Sequence, residues 1–158
     1  MKTLVAFYSR SGITKKVAEA IQAGLGCGIE EIIDLKNRSG IFGFLSAGYS
    51  ATTKKLTDIK KPEKDPSTYE LIIIGTPIWA GSMTPAIRTY VNWLKSTGAL
   101  SKLKTAFLCT GGSANSDKVL AFMVELVGKE SVATLGVRRD DVDSSDQKIK
   151  SFVAATQG

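Results

Sequence analysis

The sequence predicts an α/β fold: one domain over residues 1–158, built on a doubly wound, five-stranded parallel sheet of order 2-1-3-4-5. Three observations predict it. Five short apolar runs alternate with stretches of helical periodicity. The runs are apolar on both faces, which implies a sheet covered by helices on both sides. A hydrophobic content of 43% over 158 residues is enough for a core without disulfides or metals. No internal repeat, linker or low-complexity tract marks a second domain.

The first strand is expected over residues 4–8, LVAFY. Ile13, Val17, Ile21 and Leu25 then recur every four residues, so the period changes from strand to helix across the intervening turn. Residues 29–35 read as the second strand and 41–53 as the second helical stretch. The lysine- and proline-bearing stretch 60–66 reads as a surface loop. Residues 71–75, LIIIG, form the third strand. The next helix opens at Thr84-Pro85, a capping hydroxyl followed by the residue best tolerated in a first turn, and carries Ile87, Val91 and Leu94 on one face. A fourth strand over 106–109 leads to a helix over 115–127, and a fifth strand over 132–137 to the last helix. That helix starts at Ser144-Ser145-Asp146-Gln147, where Ser144 and Gln147 fit a capping box, and buries Ile149, Phe152 and Val153.

Composition excludes several chemistries. With no histidine, the chain has no Ser-His-Asp or Cys-His nucleophile and no histidine-ligated metal, so a bound cofactor is the leading source of reactivity. Cys27 and Cys109 form no C-x-x-C motif and read as reduced, mostly buried thiols. The chain shows neither a membrane span nor a signal peptide, and a cytoplasmic location is expected. Residues 1–61 supply +5 of the +6 net charge. The lysine pairs Lys15-Lys16, Lys54-Lys55 and Lys60-Lys61 suit an anionic cofactor or an acidic partner, and equally a solvated basic face. Nucleic acid is disfavoured, since no arginine-rich helix or aromatic-laced basic stripe is present.

Three loops gather the functional residues, because ligands of such a sheet sit beyond the carboxyl ends of its strands, where the strand order reverses. The first is Ser9-Arg10-Ser11-Gly12-Ile13-Thr14, hydroxyls at a helix N-terminus. Unpaired N–H groups and the positive end of the helix dipole favour a phosphate there, while Ser9 or Ser11 also fits simple N-capping. The second is Thr76-Pro77-Ile78-Trp79-Ala80-Gly81, in which Trp79 offers a flat face for a planar ring or a place in the core. The third, Thr110-Gly111-Gly112-Ser113, offers backbone groups to the polar edge of a heterocycle or makes an ordinary turn. Convergence of the three favours a ligand site.

These loops resemble those of the flavodoxin-like family, whose phosphate turn runs hydroxyl-x-hydroxyl-glycine-x-threonine, and the resemblance covers essentially the whole chain. Gly43-Phe44-Leu45-Ser46-Ala47-Gly48-Tyr49 is similar to a segment of a short branch of these proteins. The resemblance implies noncovalent FMN, with its phosphate on residues 9–14, its ring against Trp79 and its pyrimidine edge on Thr110, Gly111 and Gly112. It also implies a peptide at Ala80-Gly81 that rearranges around the flavin N5. The third loop lacks the aromatic that covers the second ring face in many flavodoxins, which leaves that face to a substrate or to Tyr49 or Phe44. Typical flavodoxins are strongly acidic. Here the basic first third of the chain, with Arg10 inside the phosphate loop, would ease full reduction of the flavin.

Other users of this sheet order lack their residues here. A receiver domain needs acidic groups where Ser9 and Thr76 stand, a tyrosine phosphatase needs an arginine five residues after a cysteine, and no Rossmann or Walker glycine motif occurs. Within flavoproteins, short length favours an electron carrier between redox protein partners. The uncovered ring face and basic charge favour an NAD(P)H:quinone or related oxidoreductase acting on a quinone-like substrate. The carrier is the first expectation, and a non-redox binding module the last.

Overall fold

A computed structural model describes residues 1–36, 55–112 and 115–158 of the chain. The helical stretch expected over 41–53, with Phe44 and Tyr49, lies outside the described residues, as do Lys54 and Ser113. The strands are β1 (Thr3–Phe7), β2 (Gly28–Glu31), β3 (Leu71–Trp79), β4 (Ser82–Met83), β5 (Lys104–Gly111) and β6 (Ala133–Arg138). The sheet order is β2-β1-β3-β5-β6, all parallel, with the short β4 antiparallel to the end of β3. Without β4, this is the expected 2-1-3-4-5 topology.

Alternation along the strands divides the core into two layers. Leu4, Ala6, Ile72, Ile74, Phe107 and Cys109 face α2 (Pro85–Ser96) and α3 (Ser116–Val127), meeting Ile87, Tyr90, Leu94, Val119 and Met123. Val5, Phe7, Leu71, Ile73, Ala106 and Leu108 face α1 (Ile13–Leu25) and α4 (Asp146–Gln157), meeting Val17, Ile21, Ile149 and Phe152. The two periods in the sequence, two in the strands and near four in the helices, are the imprint of these layers. No helix among the described residues is long and apolar enough to cross a membrane.

Helix ends follow local chemistry at three places. Thr84 caps α2, its hydroxyl accepting from the Ile87 amide, with Pro85 in the first turn. Gly26 and Gly128 close α1 and α3 in the left-handed conformation that glycine adopts most cheaply. The capping box expected at Ser144 and Gln147 is not formed. Ser144 belongs to a 3₁₀ segment, Arg139–Ser144, and donates its hydroxyl to the Asp141 carbonyl; α4 begins only at Asp146. Ser145 likewise donates to Val142, so the turn before the helix takes both hydroxyls.

β2 and β3 depart from the expected bounds at their carboxyl ends, and β5 is longer as well, Lys104–Gly111 rather than 106–109. β2 stops at Glu31 rather than running to residue 35, because as an edge strand it has no partner beyond Phe7. Ile33 and Leu35 are accordingly exposed, and the chain turns to an antiparallel bridge between Asp34 and Ile59. β3, by contrast, runs past residue 75 to Trp79, paired with β5 as far as Pro77 and with β4 at Ile78 and Trp79. Pro77 is accommodated because β1 no longer pairs with β3 at that point, so its missing N–H breaks no ladder.

Candidate functional site

The carboxyl ends of β1, β3 and β5 bring the three loops to one edge. A cleft there is walled by Arg10, Ser11, Ile13 and Thr14 from the first loop, Pro77, Ile78 and Trp79 from the second, and Thr110 and Gly111 from the third. Arg139, the first residue after β6, completes it. The sequence reading missed Arg139. Its signal was available, since it follows the last strand at the same carboxyl edge.

The first loop is shaped by Gly12, which stands at the N-cap of α1 with φ 85° and donates its amide to the Ser9 hydroxyl at 3.1 Å. Only glycine enters that region without steric cost, and a serine or threonine cap is thereby displaced. Ser9 is therefore spent on the turn. Ser11 is exposed, and its hydroxyl has no partner among the described residues. The helix ladder starts with Lys16 donating to Gly12, so the amides of the first turn point outward unpaired, where an anion is favoured.

Thr14 and Thr110 join the first loop to the third. Their hydroxyl oxygens lie 2.9 Å apart, with the residues 1% and 2% exposed. One bond between two hydroxyls consumes one proton of the two. Whichever residue donates, the other keeps a buried O–H with no partner among the described residues.

The second loop is a hairpin. Trp79 pairs with Ser82 across Ala80 and Gly81, whose φ values of 46° and 71° are those of the two-residue turn that suits right-twisted strands. Thr76 is turned inward, wholly buried: its hydroxyl donates to the Pro77 carbonyl at 2.9 Å and accepts from the Thr84 amide at 3.1 Å. It holds the loop rather than lining the cleft. The Trp79 ring receives the edge of Tyr8 at 5.5 Å and carries the Arg10 guanidinium at 5.5 Å over its face.

In the third loop, a Cβ on Gly111 would stand 3.0 Å from Ile78, so glycine there lets the second and third loops close together. Gly112 has open space around it and lies outside the cleft wall. Cys109, just beneath, is buried among apolar groups, and its thiol pKa is pushed up to about 12, mainly by desolvation and further by Asp117. Cys27 is shifted up as well, for the same first cause. Both are free thiols, protonated at neutral pH and poor nucleophiles.

The cleft is thus cationic. Two arginines, unpaired helix amides and spare hydroxyl protons line it, and no carboxylate is among its wall residues. That donor set fits a phosphate, and the Trp79 face beside it fits a planar ring. The Arg10 guanidinium lies over the Trp79 face that such a ring would take.

Solved structures share this fold. A flavoprotein from Lactobacillus acidophilus NCFM, solved in complex with FMN, is 25% identical with a TM-score of 0.69, the match covering 93% of this chain and 97% of that one. A flavodoxin, WrbA-like protein from Agrobacterium tumefaciens is 18% identical with a TM-score of 0.62, over 99% and 98% of the two chains. A mutant of flavodoxin from Pseudomonas aeruginosa is 15% identical with a TM-score of 0.59, over the full length of both. No functionally curated protein matches the chain in sequence. The flavodoxin-like fold expected from the sequence is the fold observed. A family model described as NADPH-dependent FMN reductase matches residues 3–135, a span that includes all three loops, and accords with FMN as the cofactor. The chain therefore belongs to the NADPH-dependent FMN reductase family.

Proposed function

We propose that this protein is an FMN-dependent oxidoreductase that takes electrons from NADPH or NADH and passes them to a quinone-like or other small acceptor. The observation that carries the reading is the cationic cleft, in which spare donors for a phosphate stand beside an aromatic face within a chain of this family. FMN, when bound, supplies a ring whose N5 exchanges hydride. The chain's own residues bind and orient. The first-turn amides of α1, with Ser11 and the Thr14–Thr110 hydroxyl pair, hold the phosphate. Arg10 and Arg139 would balance its charge, and Trp79 would back the ring. Backbone groups of Thr110 and Gly111 would meet the polar ring edge. No protein acid or base is required for hydride transfer, consistent with a histidine-free chain.

A second reading, the one-electron carrier between redox proteins, is favoured by length, since this chain and a flavodoxin cover each other completely. One experiment separates them. The FMN-reconstituted protein is titrated anaerobically with dithionite and, separately, with NADPH or NADH, before a quinone is added. Bleaching by the nicotinamide with turnover on quinone is expected. Bleaching by dithionite alone would remove the oxidoreductase reading and leave the carrier. The site assignment has its own test, because Trp79→Ala and Ser11→Ala should each weaken FMN; unchanged affinity in both would remove it.

A further inference from the structure

A second cleft, of about 320 Å³, opens between α2 and α3, with Ser82, Arg88, Lys95, Phe122 and Glu125 among its walls. It shares no wall residue with the flavin cleft, yet the two touch one hairpin: Trp79 lines the first, and Ser82, its pairing partner, lines the second. Arg88 is the unusual group. Its Nη2 donates to the Ser82 hydroxyl at 3.2 Å, while its Nε is buried with no partner among the described residues. A guanidinium has only donors, and a buried N–H without an acceptor is costly, the more so on a charged group.

Among the described residues, no charge offsets this. Desolvation lowers its pKa from the ordinary arginine value, and no neighbouring charge is among the causes. Lys95, two turns further along the same face of α2, adds a second cation at the cleft. Glu125 is the one carboxylate in the wall, and it forms no ion pair with either cation among the described residues. The cleft therefore carries two cations and, among the described residues, no acceptor for the buried Nε.

We infer that this cleft binds a small oxyanion, a carboxylate or a phosphate group, for which the Arg88 guanidinium turns from Ser82 to present its Nε–Nη edge, with Lys95 closing on it. The planar edge of a guanidinium presents parallel N–H donors that match two oxygens of one such group. The site is distinct from the phosphate position at α1, and the inference does not depend on which electron acceptor the flavin serves.

The test is an NMR titration of the FMN-reconstituted protein with inorganic phosphate and, separately, with acetate at constant ionic strength. It follows the Arg88 Nε–H and the Ser82 amide, with the Ser11 and Gly12 amides reporting the α1 position independently. Saturable shifts at Arg88 and Ser82 are expected. Arg88→Gln should weaken that binding at least about tenfold. Lys95→Gln, a change on an exposed side chain that leaves the fold intact, should weaken it severalfold, and Glu125→Gln should tighten it. Saturation by phosphate alone assigns a phosphate ligand, by acetate alone a carboxylate, and by both a site for either. Absence of saturation at Arg88, or the same binding in Lys95→Gln and Arg88→Gln, overturns the proposal.

Discussion

Removing the Thr14 hydroxyl tests both the packing of the site and its readiness for a phosphate. In Thr14→Val the methyl volume is kept, but Thr110 is left with a buried hydroxyl lacking its 2.9 Å partner. Stranding one member of a buried pair costs roughly 1–3 kcal/mol, because the desolvation of the remaining group is no longer repaid. For a chain of this length that is a fall in Tm of about 2–12 °C. Thr110→Val should cost a similar amount. The double variant should cost far less than the sum, since two apolar groups of the same shape leave nothing unsatisfied. The assay is urea unfolding of the four apoproteins as a double-mutant cycle. FMN affinity adds a second readout: loss of a hydrogen bond to a charged phosphate at Thr14 should weaken binding by about ten- to a hundredfold. Additive stability losses, with a coupling within about 0.5 kcal/mol of zero, would refute the paired-hydroxyl reasoning.

The hairpin carries strain at Ala80, whose φ of 46° is left-handed. Ala80→Gly relieves roughly 1–2 kcal/mol of steric cost and gives back about 0.5–1 in chain entropy, so a gain of up to about 1.5 kcal/mol in urea unfolding is expected. Gly136→Ala should do the opposite, by about 1–3 kcal/mol, because its Cβ would stand 2.6 Å from the Ser116 Cβ. Ser116→Gly in the same chain should restore most of the lost urea midpoint. Alkaline pH should destabilise the fold under reducing conditions. The folded pKa of Cys109, about 12, lies above its ordinary 9.0, so this contribution is intact below pH 9.0 and declines as pH rises toward 12. Burial raises the Tyr90 pKa in the same sense. Cys109→Ala should flatten part of the decline in midpoint between about pH 9 and pH 11.

The sequence by itself determined the layers and the edge at which a ligand sits. Strand runs apolar on both faces, such as 71–75, and helix faces such as Val17 and Ile21 are legible because burial imposes period and composition directly on the residues. Thr84 with Pro85, and the hydroxyl-rich turn before α1, are local signals of the same kind. Nine of the expected cleft residues meet in one wall for that reason. Tertiary structure decided what each of them does. Ser9 serves the turn because Gly12 takes the cap, Thr76 is turned inward because the Thr84 amide reaches it, and Thr14 is paired with a residue 96 positions away. Pro77 sits in a strand only because β1 has ended beside it, and Arg139 joins the cleft from the far end of the chain. Hydrogen-bond partners and steric neighbours are properties of spatial juxtaposition, and periodicity along a chain encodes which face is buried but not which group stands opposite.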